Sequence, residues 1–186
     1  MSRGSGLVEA VVATALGLLV VSVLTAAMAL GGRVLASCGA RGEAEDTAQL
    51  AVEAFTFDAR RAGFDPAAAG VEALAEARPD RVAFLADLDA SGAIDTSTEE
   101  STAHVCAAGQ LSRVIGRQSL PLADRATTCV FRYYDGSGVE VIPPPTGLDA
   151  AGRRAVRAVA LEIVLGPARL HGRSGRRILV ALRGRS

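Results

Sequence analysis

The chain has 186 residues, 49% hydrophobic, 22% charged and only 4% aromatic, and its 20 basic side chains, all arginine, balance its 20 acidic ones. This neutrality excludes a strongly basic nucleic-acid binder and a highly charged disordered chain, and the length allows one modest globular core. The average hides a segregation, because no charge interrupts the 23 residues from Ala10 to Gly32. At about 1.5 Å per residue, a helix of that length crosses the roughly 30 Å hydrocarbon layer of a bilayer.

In chain order, the sequence divides into a short leader over residues 1–4, an apolar helix over 5–32, a helical continuation over 33–64 and a mixed head over 65–186. Alanine, valine and leucine dominate the apolar segment, so helix propensity agrees with the need to satisfy backbone polar groups inside lipid. The competing reading is a buried helix of a soluble bundle, which seldom runs so far without a charge. The glycine-bearing stretch Cys38–Gly42 predicts a kink or local unwinding. Helical character then resumes from Glu43 to Phe64. Leu50, Ala54 and Phe57 recur there at helical spacing, with Ala51, Phe55 and Ala62 nearby, and Arg60, Arg61 and Gly63 form a suitable helix end.

The head reads as short strands beginning near Arg81, Ser101, Gln110, Cys129, Val139, Val156 and Arg176, several of them separated by turn signals such as Ala107–Gly109 and Asp135–Gly138. Hairpins fit these spacings better than crossover helices. The expected fold class is therefore α+β, a long N-terminal helix whose amphipathic second half covers one face of an antiparallel sheet. The segment around Ala69 is open between a short helix and a loop, and Pro143–Pro145 predict an extended loop or edge.

Glu9 is the unusual residue of the apolar segment: it is a carboxylate at the entrance of a helix whose nearest upstream base is Arg3. An ionised carboxylate placed in hydrocarbon costs roughly 2.5–3.5 kcal/mol on insertion scales, so a partner or a proton is expected. Cleavage after Gly4 would create an amino terminus at Ser5. That cation could meet Glu9 of the same chain or of a neighbour and so set the axial register of packed helices. The alternative is a carboxylate resting at the lipid interface.

The segment from Gly4 to Ala26, GSGLVEAVVATALGLLVVSVLTA, resembles the amino-terminal signature of type IV prepilins and pseudopilins. In that resemblance Gly4 matches the last leader residue, Ser5 the first mature residue and Glu9 the glutamate at the fifth mature position. Ser5 departs from the usual Phe or Met. The stretches from Phe55, Arg81, Gln110 and Phe131 and the closing strands near Ala155 and Arg176 resemble the head of PilW-like and GspJ-like minor pilins in the same order. The resemblance implies a type IV pilin-like fold, cleavage after Gly4 and N-methylation of Ser5 by a prepilin peptidase, and assembly through the helix with Glu9 in the register role. It also implies other major and minor pilins or pseudopilins, the inner membrane and its assembly platform as partners, with the head in the periplasm or outside. It does not separate a pilus from a secretion pseudopilus or a DNA-uptake system. Arg3 and Arg33 flank the span one on each side, so charge bias is nearly silent and the orientation rests on the resemblance.

Other motifs in the chain compete with this reading. Cys106 and Cys129 lie on separate candidate strands and are a possible disulfide in an oxidising compartment, although sequence does not fix connectivity. Cys38 is left over, as a buried thiol or an intersubunit partner. Leu35–Cys38 imitates a lipobox, but Arg33 interrupts the apolar run just before it. Asp87, Asp89 and Ser91 occupy the first ligand positions of a calcium loop, with Gly92 at the turn, Ile94 at the apolar position and Asp95 as a further oxygen donor. Thr98 stands where the bidentate Glu belongs, so a polar turn is the favoured reading, with Glu99 or Glu100 as distant substitutes. His104 and His171 are the only histidines, and no phosphate loop or nucleophile elbow is present. From Arg153 to the end there are nine arginines against Glu162 alone. Arg173, Arg176 and Arg177 read as solvated strand faces around a turn, and this is favoured over a weak phosphate-binding role in DNA uptake because no aromatic stacking set accompanies them. The expectation is a non-enzymatic filament subunit without a cofactor. A tethered binding module and a tethered hydrolase are the alternatives.

Overall fold

The computed structural model describes residues 5–165 and 174–182. Contacts divide the chain into two compact units, Met1–Gly42 and Glu43–Ser186. Helix α1, Ser5–Arg61, supplies the first unit and the opening of the second. Helical assignment runs without a break through Cys38–Gly42, where the sequence predicts a kink or unwinding. Two glycines there cost about 1 kcal/mol each relative to alanine, too little to interrupt so long a helix.

In the first unit, every side chain from Glu9 to Leu30 is exposed, with Leu18 and Met28 at 71% and 74%. A core helix of a soluble bundle would bury such residues. The stretch Glu9–Leu30 is instead long and apolar enough to cross a membrane.

The second unit opens with the C-terminal part of α1 and continues into two antiparallel sheets, where the sequence suggested one. The first sheet runs in chain order through β1 (Leu74–Ala77), β2 (Arg81–Leu85), β3 (Ser101–Ala107), β4 (Gln110–Ile115) and β5 (Gln118–Ala123). The second contains β6 (Ala126–Tyr134), β7 (Glu140–Val141), β8 (Ala158–Leu165) and β9 (Ser174–Ala181) in the order β7-β6-β8-β9. The split occurs at Arg125, whose φ of 58° turns the chain away from β5. Ala126 N–H then donates to Gly109 O at 2.8 Å, and β6 takes β8 as its partner. A single residue outside the usual backbone region thus ends one ladder and starts the other.

Two strands escaped the sequence pattern. The stretch around Ala69 is a loop that leads into β1, an edge strand bulged between Leu74 and Glu76. β5 contains Pro121, which a central strand would reject, but β5 lies at the sheet edge where the missing donor costs nothing. The β3–β4 hairpin places Ala108 and Gly109 both at positive φ, 50° and 74°, the geometry that matches strand twist in a two-residue turn. Helix α2 (Ala150–Ala155) also went unpredicted; the Asp149 side chain caps it by accepting from Gly152 N–H at 2.7 Å.

The two sheets are joined at the β1–β2 turn. Pro79 O accepts from Phe131 N–H of β6 at 2.9 Å, and the buried Tyr133 hydroxyl of β6 donates to Arg78 O at 2.7 Å; Asp80 O accepts from Cys106 N–H at 2.8 Å within the first sheet. Cys106 on β3 and Cys129 on β6 add a disulfide with Cα atoms 5.6 Å apart, linking the two sheets and not neighbouring strands of one.

The helix covers both sheets with a stripe of Ala48, Ala51, Phe55, Ala59 and Ala62, all fully buried. Four alanines allow close approach, and Phe55 is the one large group pressed inward. Its ring lies 5.7 Å from Phe84 of the first sheet and 5.9 Å from Phe131 of the second. The stripe expected around Leu50 and Phe57 faces the other way, with these side chains 64% and 57% exposed. Both stripes have helical spacing, so periodicity alone cannot choose between them.

Phe55→Ala should lower the stability of the detergent-solubilised chain by about 3–5 kcal/mol. Phe57→Ala, which loses only a surface contact with the Arg61 guanidinium 4.7 Å from its ring centre, should cost less than about 1 kcal/mol. Urea titration followed by near-ultraviolet circular dichroism checks the pair. Replacing Cys106 and Cys129 together by serine opens a crosslink spanning 23 residues and should cost about 3 kcal/mol in the same assay.

Candidate assembly surface

The apolar span satisfies its own few polar groups. The Thr14 hydroxyl donates to Ala10 O and Val11 O, Ser22 to Leu19 O, and Thr25 to Val21 O and Ser22 O, at 2.8–3.0 Å. Hydroxyls returned to the preceding turn leave no donor that requires water, as a hydrocarbon environment demands. Glu9 is exposed at the start of this span and is the only charged residue between Arg3 and Arg33. Ser5 begins α1, whereas Gly4, on the other side of the expected cleavage point, lies outside the described residues.

The head presents a second apolar surface on the outward face of α1. Leu50 and Phe57 are exposed there. A shallow cavity of about 450 Å³ runs beside Val52, Thr56, Phe57 and Ile178 of β9. Leu179, the next residue of β9, is also exposed but points to the opposite face of the sheet from Ile178. Glu45 near the start of this helical stretch pairs with Arg176 of the same strand.

The calcium-loop candidates form an internally bonded turn. Asp87, wholly buried, accepts from Ser91 N–H at 3.1 Å and Gly92 N–H at 2.9 Å, while Asp89 accepts from the same Ser91 N–H at 2.9 Å. The Ser91 hydroxyl donates to Ala93 O, and Asp95 is turned aside to the hydroxyl and N–H of Ser97 at 2.6 and 2.8 Å, which hold its carboxyl below the usual range. Glu100 and not Thr98 closes the loop: its Oε1 accepts from Leu88 N–H at 2.9 Å and its Oε2 from Asp95 N–H at 2.8 Å. Ligand oxygens of Asp87, Asp89 and Glu100 all lie within 4.8 Å of one another, a potential set of hard-cation ligands. Main-chain donors already use these carboxylates as acceptors. Gly116 beside the loop has φ 55°, and a Cβ there would lie 2.9 Å from Ser97 O, so the β4–β5 turn needs glycine to approach the loop this closely.

Sequence reasoning missed the buried polar cluster under α1. Asp58, 4% exposed, accepts from His104 Nε2 at 2.9 Å, from Arg113 Nε at 2.7 Å and from Arg113 Nη2 at 2.8 Å. His104 is fully buried, with the rings of Phe55 and Phe84 edge-on at 5.4 and 6.0 Å and its Nδ1 enclosed without a partner. Burial pushes the Asp58 carboxyl up, but hydrogen bonds from His104 and Arg113 and their charge more than reverse this and hold it below its usual value. A signal was present in the sequence: Asp58 falls three residues after Phe55 and four before Ala62, on the apolar stripe itself. A charge on a buried face requires a buried partner. His171, the other histidine, lies outside the described residues.

Together these features define a class, a membrane-anchored α+β protein with a helix-covered, disulfide-linked antiparallel head. A disulfide persists in an oxidising compartment, consistent with a tethered protein whose head is extracytoplasmic. Comparison with protein-family models finds no match, and comparison with curated proteins finds none either.

Asp58→Asn should destabilise the head by about 3–5 kcal/mol, because the Arg113 charge is left without its carboxylate. Since the folded-state value of Asp58 is depressed, its contribution is present above the unfolded carboxyl value of about 4 and is lost as pH falls toward the folded one. The stability difference between wild type and Asp58→Asn should therefore be constant near neutral pH and shrink on acidification below about pH 4. Urea midpoints across that range measure it; a difference independent of pH would contradict the assignment.

Proposed function

We propose that the chain is a non-enzymatic minor pilin or pseudopilin, cleaved after Gly4 and built into, or priming, a type IV pilus or type II secretion-like filament. The observation that carries this reading is the exposed apolar helix whose single charge is Glu9, at the end where a new amino terminus would form. An amino group at Ser5 of one subunit meeting Glu9 of the next neutralises a carboxylate that lipid would otherwise penalise, and does so at only one axial offset. The apolar side chains of the span supply the remaining helix-to-helix packing, and exposed Leu50 and Phe57 extend apolar surface along the helix outside the head core.

On this reading the partners are a prepilin peptidase, other major and minor pilins or pseudopilins, and the assembly platform of a bacterial inner membrane. The membrane holds the subunit before assembly with its head in the periplasm. Nucleic acid enters only if the filament serves DNA uptake. The protein contributes surfaces, and the work of extrusion comes from the assembly machinery.

Intact-mass measurement of membrane-extracted protein should show loss of residues 1–4, with or without one methyl group on Ser5. Gly4→Leu should leave a longer, uncleaved species. Glu9→Val should insert and be cleaved normally yet be recovered several-fold less in sheared filaments. Recovery of that variant at wild-type levels, or an intact leader on the native protein, would refute the proposal.

A further inference from the structure

A cavity of about 480 Å³ opens in the head between the end of α2 and the segment that leads into β1. Its volume is that of a small-ligand site. Arg153, Arg154 and Arg157 line it, and among the described lining residues Glu72 is the one acid. Glu72 pairs with Arg154 at 3.0 Å and reaches Arg153 only at 3.9 Å, so three permanent cations face a single anion.

Backbone oxygens position two of these guanidiniums. Arg153 Nη1 donates to Leu148 O at 3.0 Å, and Arg157 Nη1 donates to Arg154 O at 2.5 Å and Val156 O at 3.2 Å. Carbonyls orient a guanidinium without neutralising it. Arg153 Nε is buried and has no acceptor. A buried charged N–H without an acceptor is costly, and although Nε itself is closed to a ligand, an oxyanion set against the guanidinium from the cavity offsets that cost through its charge.

The rest of the lining narrows the ligand. Val71, Leu74, Val156 and Leu182 offer aliphatic surface beside the arginines, and among the described lining residues there is no aromatic ring on which a base would stack. Charge and apolar contact side by side suit an acidic residue next to an aliphatic one. We infer that this cavity receives an acidic, aliphatic peptide segment of another protein, its carboxylate on Arg153 with Arg154 and Arg157, its neighbouring side chain against Leu74, Val156 and Leu182. This role does not rest on the filament reading, which is carried by Glu9 and the apolar span and by none of the residues that line the cavity.

The test uses the full chain in detergent micelles with ¹⁵N-labelled arginine, following the Arg153 Nε–Hε resonance, assigned by its loss in Arg153→Gln. N-acetyl-Asp-Leu amide is the probe, its Asn-Leu counterpart the neutral control and a thymidine tetranucleotide the nucleic-acid arm. The acidic dipeptide should shift the resonance saturably. The neutral one should bind about tenfold or more weakly, the loss of one charge-assisted hydrogen bond. Arg154→Gln, a largely exposed side chain whose loss leaves the fold intact, should weaken the acidic probe by a similar factor, whereas Arg117→Gln at another cavity should not. The inference fails if the two dipeptides bind alike, if the acidic one produces no shift, if Arg154→Gln binds it as wild type does, or if the oligonucleotide binds more tightly.

Discussion

Phe55 stands where three surfaces meet. It comes from the helix, touches Phe84 of the first sheet and Phe131 of the second, and is flanked along the helix by alanines that let the backbone approach both. The two small sheets share one buried cluster, with Leu74, Val82, Phe84 and Leu111 from the first and Phe131, Tyr133, Leu161 and Ile163 from the second, and Phe55 belongs to it. Within the second unit, the C-terminal part of α1 supplies the layer that covers the sheets.

The same contact explains why a charge is tolerated beneath the helix. Asp58 follows Phe55 by one turn and would be expensive in an apolar seam. It is accepted because the first sheet brings His104 and Arg113 to it from adjacent strands, in register opposite each other on β3 and β4. The fork of Arg113 holds both carboxylate oxygens, which fixes the rotation of the helix about its own axis as well as its position. That rotation sends Leu50 and Phe57 outward. An apolar face of the helix is thereby left exposed.

The head divides its charges by purpose. In the β2–β3 loop, Asp87, Asp89 and Glu100 are acceptors for main-chain donors and hold a long connection without a strand of its own. At the end of α2 the arrangement is reversed, with arginines braced by carbonyl oxygens and too few acids to match them. The first cluster completes itself. The second keeps an excess of positive charge among its described lining residues.

Much of the plan was legible along the chain. The span from Ala10 to Gly32 declares itself because lipid imposes a composition on every residue it touches, and most strands declare themselves by length and turn chemistry. Glu9 stands out for the same reason, as the exception within a uniform segment. What one dimension leaves undecided is which residues meet. Periodicity offered two helical stripes, and only the fit of Phe55 between two rings chose one. Turn signals marked the strands but not their division into two ladders, which depends on the backbone at Arg125 and on β6 finding β8 across an intervening helix. The Asp58 cluster joins residues 46 and 55 positions apart, and the arginine cavity needs α2 folded back toward β1. Such sites arise from long-range packing of residues that are ordinary in their local context, so sequence names the parts and tertiary structure alone decides the partners.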